Sequence, residues 1–575
     1  EKKFLTDQGI KELYPPQAQA VKAGVMEGES ILLSTPTASG KTLTAMLAVL
    51  KSLAAGKKCV YVTPLRALAH EKYSELKPLE KQGYKVVLET GDLDASHVRE
   101  KRFDVMIATA EKCDSILRSK PKMFQNLGVL VLDEIHLINT SRGPVYEVIA
   151  SRLKNMTKNL QVLGLSATIG NSNEMAGWLD ARLVESSWRP VKLEEKIVQG
   201  GAQDVNEVVR QALDAGQVLV FVNTRKSAEA VAERIGEKLK LGDAGISSEI
   251  LNALSSPTTQ CRRLSSCTKN GTAFHHAGLV NKQRNQIEEA FKEGKIKVIA
   301  ATPTLAAGVN LPSRTVVIRD LKRYTGEGLN YIPVLEYKQQ VGRAGRPRYD
   351  DSGTAITLAR DEEEEEFIKE FYVDGVVEPI YSQLGSKPIL RFHILAAVAS
   401  NFTRTRKAVN DFIKTTFFGH QYGLEDVEKP ITEVIIDLTE WGFIEEEKRL
   451  KATPMGQRIS QLYIDPLTAR NYLQLLPNAK PADVGLLEIL CDAVEVRKLY
   501  VKQNEESRLW EQAYNMADEL SRDLDGFGLD YMFLDRFKTA LMFCDWINEK
   551  TEEEITQAYK TTAGGLYQQI QDRKS

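Results

Sequence analysis

Apolar positions in the first 180 residues follow two alternating rhythms. Short runs at Ser30–Ser34, Cys59–Thr63, Lys85–Glu89, Asp104–Ala108, Val129–Leu132 and Gln161–Leu165 read as buried strands. Between the first two, Leu43, Met46, Leu47, Leu50 and Leu53 recur at helical spacing and predict a helix over Lys41–Ala55. Strands alternating with helices predict a parallel sheet wrapped by helices. The rhythm restarts beyond Ser186–Pro190, with strands expected at Gln217–Val222, Lys297–Ala301, Thr315–Ile318 and Gly353–Leu358. That pattern predicts a second α/β lobe.

After residue 386 the strand signal fades. Pro430–Trp441 is amphipathic, Phe443–Ala452 crosses a charged turn, and Thr453-Pro454 opens another helix. Helices followed by one short hairpin predict a winged helix, a variant of helix-turn-helix. From residue 463 onward the pattern is helical, with Trp510 and Trp546 expected in the core. The predicted units are 1–188, 189–386, 387–462 and 463–575. The acidic run Asp361–Glu366 reads as a solvated helix start.

Composition narrows the class. At roughly 150 residues per domain, the chain of 575 residues holds about four. Its 42% apolar and 27% charged residues exclude disorder and disulfide scaffolds. No apolar run nears the roughly 18 residues of a membrane span, and Glu1-Lys2-Lys3-Phe4 lacks a secretory core. A soluble, cytoplasmic protein is therefore expected. The formal net charge is −2, so any nucleic acid must be held by local patches. Six cysteines include no CxxC pair, which argues against zinc; Cys261 and Cys267 are expected as free thiols.

Candidate chemistry begins at Thr35-Pro36-Thr37-Ala38-Ser39-Gly40-Lys41-Thr42, which follows a strand and opens a helix. Backbone N–H groups there would cradle phosphates, Lys41 would neutralise them and Thr42 would ligate Mg²⁺. Thr35 stands where the general pattern has glycine. Asp133 and Glu134 end the strand Val129–Leu132, at the edge where such sheets bind ligands. Asp133 would hold Mg²⁺ through water and Glu134 would deprotonate the attacking water. In the second lobe, Gln339-Gln-Val-Gly-Arg-Ala-Gly-Arg346 offers Arg343 and Arg346 to developing phosphoryl charge. Catalysis by arginines on the other lobe requires the lobes to close.

These segments, in this order, resemble the superfamily-two helicases along nearly the whole chain. Leu13-Tyr-Pro-Pro-Gln17 resembles the adenine-reading segment, which implies that Gln17 contacts the base. Pro64–Ala69, Thr90-Gly-Asp92 and Ala108–Lys112 resemble segments that track a nucleic-acid backbone. Ser166-Ala-Thr168 resembles the segment coupling hydrolysis to strand separation, and Phe221–Arg225 and Ala301–Asn310 resemble second-lobe equivalents. The resemblance assigns tracking to Thr63, Arg66, Thr90, Thr109, Arg225, Thr302 and Thr304, nucleotide contact to Gly308, and coupling to His136, Ser166, Thr168 and His275.

His275-His-Ala-Gly-Leu279 matches the Ski-like branch, which also carries a winged helix and a helical bundle. Within it, Leu13–Gln17, Asp133–His136 and Gly342–Pro347 are most similar to archaeal HelQ-type DNA helicases. The resemblance implies ATP and Mg²⁺ as cofactors and 3′→5′ unwinding of single-stranded and forked DNA in replication repair. A nucleoid-associated monomer with one helicase cassette is expected, with replication or repair proteins as partners. An uninterrupted 387–460 and room for a single cassette separate this chain from RNA-directed relatives. An RNA helicase of the same branch and an ATP-gated clamp are the alternatives. Gly564-Gly-Leu-Tyr567 resembles the approach to a long helix along the exiting strand, with the chain expected either to be truncated at Ser575 or to lack the family's late segments.

Two segments complete the expected grip. Residues 387–420 carry six basic groups against Asp411, and residues 421–450 carry nine acids against three basic groups. Arg404, Arg406 and Lys407 are expected to hold duplex phosphate, or else to brace the lobes. Asp320–Pro333 places Gly326 and Gly328 between β-prone arms that bear Arg323, Tyr324 and Tyr331. By its place among the motifs it is expected to be the strand-separating hairpin.

Overall fold

The computed structural model describes Ile10 and residues 12–37, 39–91, 102–200, 205–308, 311–325, 328–347, 349–524 and 532–571. Readings that involve Glu1–Phe4, Ala38, Asp92, Val309, Asn310, Gly326 and Ser575 lie outside the described residues.

The first lobe is one parallel sheet of β1 (Ile31–Ser34), β2 (Lys58–Thr63), β3 (Val86–Glu89), β4 (Val105–Thr109), β5 (Leu127–Asp133), β6 (Gln161–Ser166) and β7 (Arg182–Glu185). Their order is β3-β4-β2-β5-β6-β1-β7. Five of these strands are apolar runs buried on both faces, as a sheet covered by helices requires. The registers Thr63↔Thr109, Asp133↔Leu165 and Ser34↔Ser166 keep their C-terminal ends nearly flush. One sheet edge therefore carries Thr109, Thr63, Asp133, Ser166 and the loop after Ser34.

The second lobe repeats the plan with β8 (Lys192–Gln199), β9 (Val218–Phe221), β10 (Thr272–His275), β11 (Val298–Ala301), β12 (Thr315–Ile318) and β15 (Ser352–Ala359), ordered β10-β11-β9-β12-β15-β8. An antiparallel pair, β13 (Lys322–Thr325) and β14 (Gly328–Tyr331), stands between β12 and β15. β7, β8 and β10 are additions to the strands expected from sequence. β7 and β8 are half-exposed edge strands whose charges blur the apolar run. β10 is buried but only four residues long and begins beside Gly271.

Beyond the lobes come helices Lys387–Ala399, Arg406–Lys414, Phe417–Glu440 and Pro454–Leu462, with β16 (Ile444–Glu446) and β17 (Leu450–Ala452) as the wing. The amphipathic stretch Pro430–Trp441 continues a helical segment that begins well before it. Thr416 caps a helix at Phe417 by accepting from Gly419 N–H, and the break falls at Gly423, with φ 73°. Proline deletes one hydrogen bond, whereas burial of Val427, Ile431, Val434, Ile435 and Leu438 holds the helix through it. Helices from Pro466–Leu475 to Ala563–Gln571 form the bundle. Trp510 stacks on Phe533 and Trp546 meets Tyr567, both half-buried at the margins of that core rather than inside it. The acidic run opens the helix Glu362–Ile368 as expected, with Asp361 accepting from Glu364 N–H.

The parts close on one another. The winged helix packs on lobe 1 through Ser151 and Trp178, which both donate to the Thr415 carbonyl at 2.8 and 2.9 Å. The bundle reaches lobe 2, where Gly564 N–H donates to the Gly278 carbonyl at 3.0 Å and Ser255 donates to Glu552 at 2.9 Å. Both Cys261 and Cys267 are free and buried. Among the described residues no helix is long and apolar enough to cross a membrane.

Candidate nucleotide cleft and nucleic-acid track

The loop after β1 feeds the helix Lys41–Ala54 through Gly40, whose φ of 84° suits glycine. A Cβ at Gly40 would lie 2.0 Å from Gln17 Nε2 and would displace that side chain from the loop. Lys41 Nζ donates to the Thr35 and Pro36 carbonyls at 2.8 and 3.1 Å, and Ser39 and Thr35 join their hydroxyls at 2.7 Å. Burial lowers the Lys41 pKa, against the pull of Glu134 and Asp133. Gln17 Nε2 donates to the Gly40 carbonyl at 3.0 Å while its Oε1 accepts from Tyr14 N–H at 2.8 Å. The expected base reader is thus fixed to the phosphate loop itself.

Asp133 ends β5 and is buried. Tyr61 O–H donates to its Oδ2 at 3.0 Å, and Glu134 N–H donates to its Oδ1 at 3.0 Å. Burial first, and Glu134 next, push the Asp133 carboxyl up to about 6. Glu134 has φ 53°, a left-handed backbone that a non-glycine residue adopts at a cost of about 1–3 kcal/mol. Lys72, which sequence reasoning missed, donates to Thr42 Oγ1 at 3.1 Å and is held by Glu75. Its charge also acts on Asp133. A lysine on an ordinary amphipathic helix carries no signal that it will fold inward.

His136 joins the lobes. Its Nδ1 accepts from Ala167 N–H at 3.1 Å, within the Ser166–Thr168 segment. Its Nε2 lies 2.8 Å from the Gln339 carboxamide. Burial drives the imidazole pKa down to about 3, so the ring is neutral. The atom of Gln339 that faces the ring is its amide Nε2. With Nδ1 accepting, the ring proton belongs on His136 Nε2, and a hydrogen bond there requires the carboxamide in its flipped assignment, oxygen toward the ring. Ser166 and Thr168 flank this contact, Ser166 buried at the end of β6 and Thr168 half-buried.

Arg343 shares the cleft. It donates to the Ala306 carbonyl, its charge lowers the Lys41 pKa, and Glu134 is the strongest charge acting on it. Its Nε is buried without a protein partner, a donor suited to a phosphoryl oxygen. Gly342 places its Cα face toward Thr37 of the opposite lobe, with 3.5 Å from an added Cβ to Thr37 Oγ1. Gly308 ends the short helix Thr304–Gly308 that carries Ala306. The structure does not bring Arg346 to the cluster. Asp350 accepts from its Nε and Nη2 at 2.9 Å each, and the guanidinium lies over Tyr349.

Along the rest of the sheet edge, Thr63 and Thr109 end adjacent strands, Thr90 follows β3, and Arg66 opens a helix with its side chain exposed. In lobe 2, Thr302 and Thr304 share a 2.9 Å hydroxyl contact after β11, and Arg225 donates to Thr562 of the bundle at 3.3 Å. His275, expected as a coupling residue, pairs with Glu288 of its own lobe at 3.0 Å and is buried there. Its neighbour His276 stacks on Phe274 and accepts from Gly278 N–H, an internal structural pair.

The hairpin β13–β14 pairs Thr325 with Gly328 and exposes Tyr324 (77%) and Leu329 (66%) near its tip. Its root is rigid. Asn223 donates to the Lys322 carbonyl at 2.6 Å, Arg323 pairs with Glu336, and Tyr331 packs on Phe367 with ring centroids 4.6 Å apart. The basic segment differs from expectation. Arg406 forms a bidentate pair with Glu446 of the wing, Arg391 with buried Asp465, Lys387 with Asp437 and Lys414 with Asp411. Arg404 and Lys407 are exposed. Fold-dependent neighbours therefore neutralise charges that stand far apart in the chain.

Comparison with known proteins agrees with this arrangement. Residues 14–176 match the DEAD/DEAH box helicase family, 202–348 the helicase conserved C-terminal domain, 357–445 a helix-turn-helix domain and 484–574 archaeal helicase domain 4. The ATP-dependent DNA helicase Hel308 of Methanocella arvoryzae is 42% identical, with 98% of this chain and 81% of that relative covered. The Hel308 of Pyrococcus abyssi is 41% identical over 99% and 82%, and that of Caldivirga maquilingensis 37% over 98% and 80%. Two α/β lobes, a winged helix and a helical bundle, matched in order and nearly end to end, place the chain in the Hel308 family of ATP-dependent DNA helicases.

Proposed function

We propose that this protein is an ATP-driven DNA helicase that moves 3′→5′ on one strand and opens forked duplexes in replication-coupled repair. The observation that carries the reading is the Gln339–His136–Ala167 relay, which joins both lobes and the coupling segment beside Lys41, Glu134 and Arg343. The working parts are 1–188 for the nucleotide, 189–386 for the arginines and hairpin, 387–462 as the winged helix and 463–575 as the bundle.

The donors at the cleft fit Mg²⁺. Thr42 and Asp133 offer hard oxygens, and the Lys72 ammonium on Thr42 Oγ1 already serves as a cation at that place. The ion, when bound, would neutralise phosphate charge. Gln17 would contact adenine after leaving the Gly40 carbonyl, and Lys41 would exchange the loop carbonyls for phosphate oxygens. Glu134 would take the proton of the attacking water. Arg343 would stabilise the charge that develops on the transferred group, and Arg346 would join it after release from Asp350. Loss of that charge on hydrolysis would loosen the cleft, and His136 would pass the change to Ser166–Thr168.

The strand would run over Thr63, Arg66, Thr90, Thr109, Arg225, Thr302 and Thr304 as backbone contacts, without base reading. The hairpin would part the duplex. A monomer supplies every part of this site, and replication or repair proteins are its expected partners. Unwinding assays on matched DNA and RNA duplexes with 3′ or 5′ tails test the reading. Opening of 3′-tailed DNA is expected; preference for a 5′ tail, or for RNA, would overturn it.

A further inference from the structure

The linker between the lobes does more than span them. Trp188 packs on Tyr14 with the rings tilted at 43° and their centroids 4.7 Å apart, and Tyr14 N–H holds the Gln17 side chain that grips the phosphate loop. The next residue, Arg189, turns the other way. Its Nη2 donates to the carbonyls of Gly342 and Ala344 at 3.0 Å each, the two residues that flank Arg343. One guanidinium nitrogen thus pins the backbone on both sides of the arginine that enters the cleft. Arg189 is half-buried, and its Nε is enclosed without a partner, so its orientation is set by these two carbonyls.

Among the described residues, no backbone N–H of the loop donates to those two carbonyls. Ser313 N–H serves the Arg343 carbonyl at 3.0 Å, and Gly345 N–H returns to the Ser313 carbonyl at 2.7 Å. The loop is therefore held on one side by Ser313 and on the other by Arg189. Neither Trp188 nor Arg189 belongs to a motif that the sequence singled out.

We propose that Arg189 is a positioning residue for ATP hydrolysis: the Trp188–Arg189 strap fixes the Arg343 backbone relative to the adenine-side segment, so that nucleotide engagement and the arginine's placement move together. The inference rests on the proposed nucleotide cleft. A guanidinium shared by two carbonyls is a rigid tie, because its planar geometry sets both angles at once. Lysine can reach the same two oxygens but lacks the plane that sets their directions.

Steady-state DNA-stimulated ATPase of the full chain tests it, with Arg189→Met, Arg189→Lys, Arg343→Ala and the Arg189→Met/Arg343→Ala double variant. Arg189→Met is expected to lower kcat about tenfold, the scale of one lost charge-assisted hydrogen bond, with KM for ATP changed less than about twofold. Arg189→Lys should recover part of the rate, which a variant that merely fails to fold would not allow. In the double variant the rate should equal that of Arg343→Ala alone, since Arg189 acts through Arg343. Independent, multiplying losses would overturn the strap while leaving the cleft intact, as would a parent-like kcat in Arg189→Met. A parent-like rate in Arg343→Ala would instead overturn the cleft reading, and the strap with it.

Discussion

Glu134 shows how much a single position can carry. Its left-handed backbone, its N–H on Asp133 and its carboxylate 3.4 Å from His136 put it between the phosphate loop and the interlobe relay. Lys41→Ala and Glu134→Gln should both abolish ATP turnover, but for different reasons. The first removes a phosphate-binding charge and should weaken nucleotide affinity; the second keeps shape and cannot take a proton. Nucleotide titration separates them, and equal loss of affinity would refute the role given to Glu134. Elsewhere, Glu147 of lobe 1 is buried against the winged helix, with Ser382 Oγ at 2.5 Å and Phe418 N–H at 2.8 Å. Burial pushes its carboxyl from an ordinary 4.5 up to about 8. Between these values the folded chain keeps a proton that the unfolded chain releases, so stability falls as pH rises from about 4.5 to about 8. Glu147→Gln can donate to Ser382 and accept from Phe418 without ionising. Its thermal midpoint should therefore gain on the parent's as pH rises through that window; a constant difference would mean that Glu147 does not titrate there.

At the scale of elements, the hairpin β13–β14 combines a fixed root with an exposed tip. Lys322 lies over the Tyr331 ring at 4.3 Å, and Tyr372 O–H donates to the Ile332 carbonyl at 2.6 Å. The contacts that tie the hairpin to the lobe thus gather at its root. Replacing the tip with a short Gly-Ser turn should leave DNA-stimulated ATPase near parent while unwinding falls. Opening a base-pair step costs only about 1.4 kcal/mol, so weak duplexes should still melt and the loss should deepen with G·C content. If the variant opened a G·C-rich fork at the parent rate, strand separation would have to lie in another element. The helix Val334–Val341 beside the hairpin is capped from a distance. Glu378 accepts from Val334 and Leu335 N–H at 2.6 and 3.1 Å, while its own carbonyl receives Gly170 N–H of lobe 1 at 3.2 Å.

Across the whole molecule, charge pairing changes what the winged helix can do. Four of the six basic groups in 387–420 face acids within the winged helix or next to it, whereas Arg404 and Lys407 are exposed. Neutralising Arg404 and Lys407 together should flatten the log–log salt dependence of duplex binding by about 2, near one counterion per contact. Neutralising Arg406 should cost stability through Glu446 and leave the slope unchanged. An unaltered slope in the Arg404/Lys407 variant would make this domain a brace alone. The bracing contacts are plain: Arg118 pairs with buried Asp114, which also accepts from Tyr463 at 3.1 Å, and Arg152 reaches Ser400 at 3.1 Å.

Local patterning carried most of the lobes. Apolar runs long enough to cross a covered sheet mark β1, β2, β4, β5 and β6 without ambiguity, because such strands are buried on both faces. The loop Thr35–Thr42, Asp133–Glu134 and Gln339–Arg343, which the structure gathers at one cleft, were singled out by residue types at short, fixed spacing. Tertiary structure decided the rest. Edge strands β7 and β8 take their pairing from partners elsewhere in the chain, and their half-exposed faces leave no clean period. Lys72, Glu378 and Arg189 act through atoms 30, 44 and more than 150 positions away, at Thr42, Val334 and Gly342. Arg406 likewise finds Glu446 40 positions on, whereas Arg346 is held out of the cleft that its motif suggested by its near neighbour Asp350. A side chain's partner across the fold is set by how the elements pack, and no window along the chain contains that information.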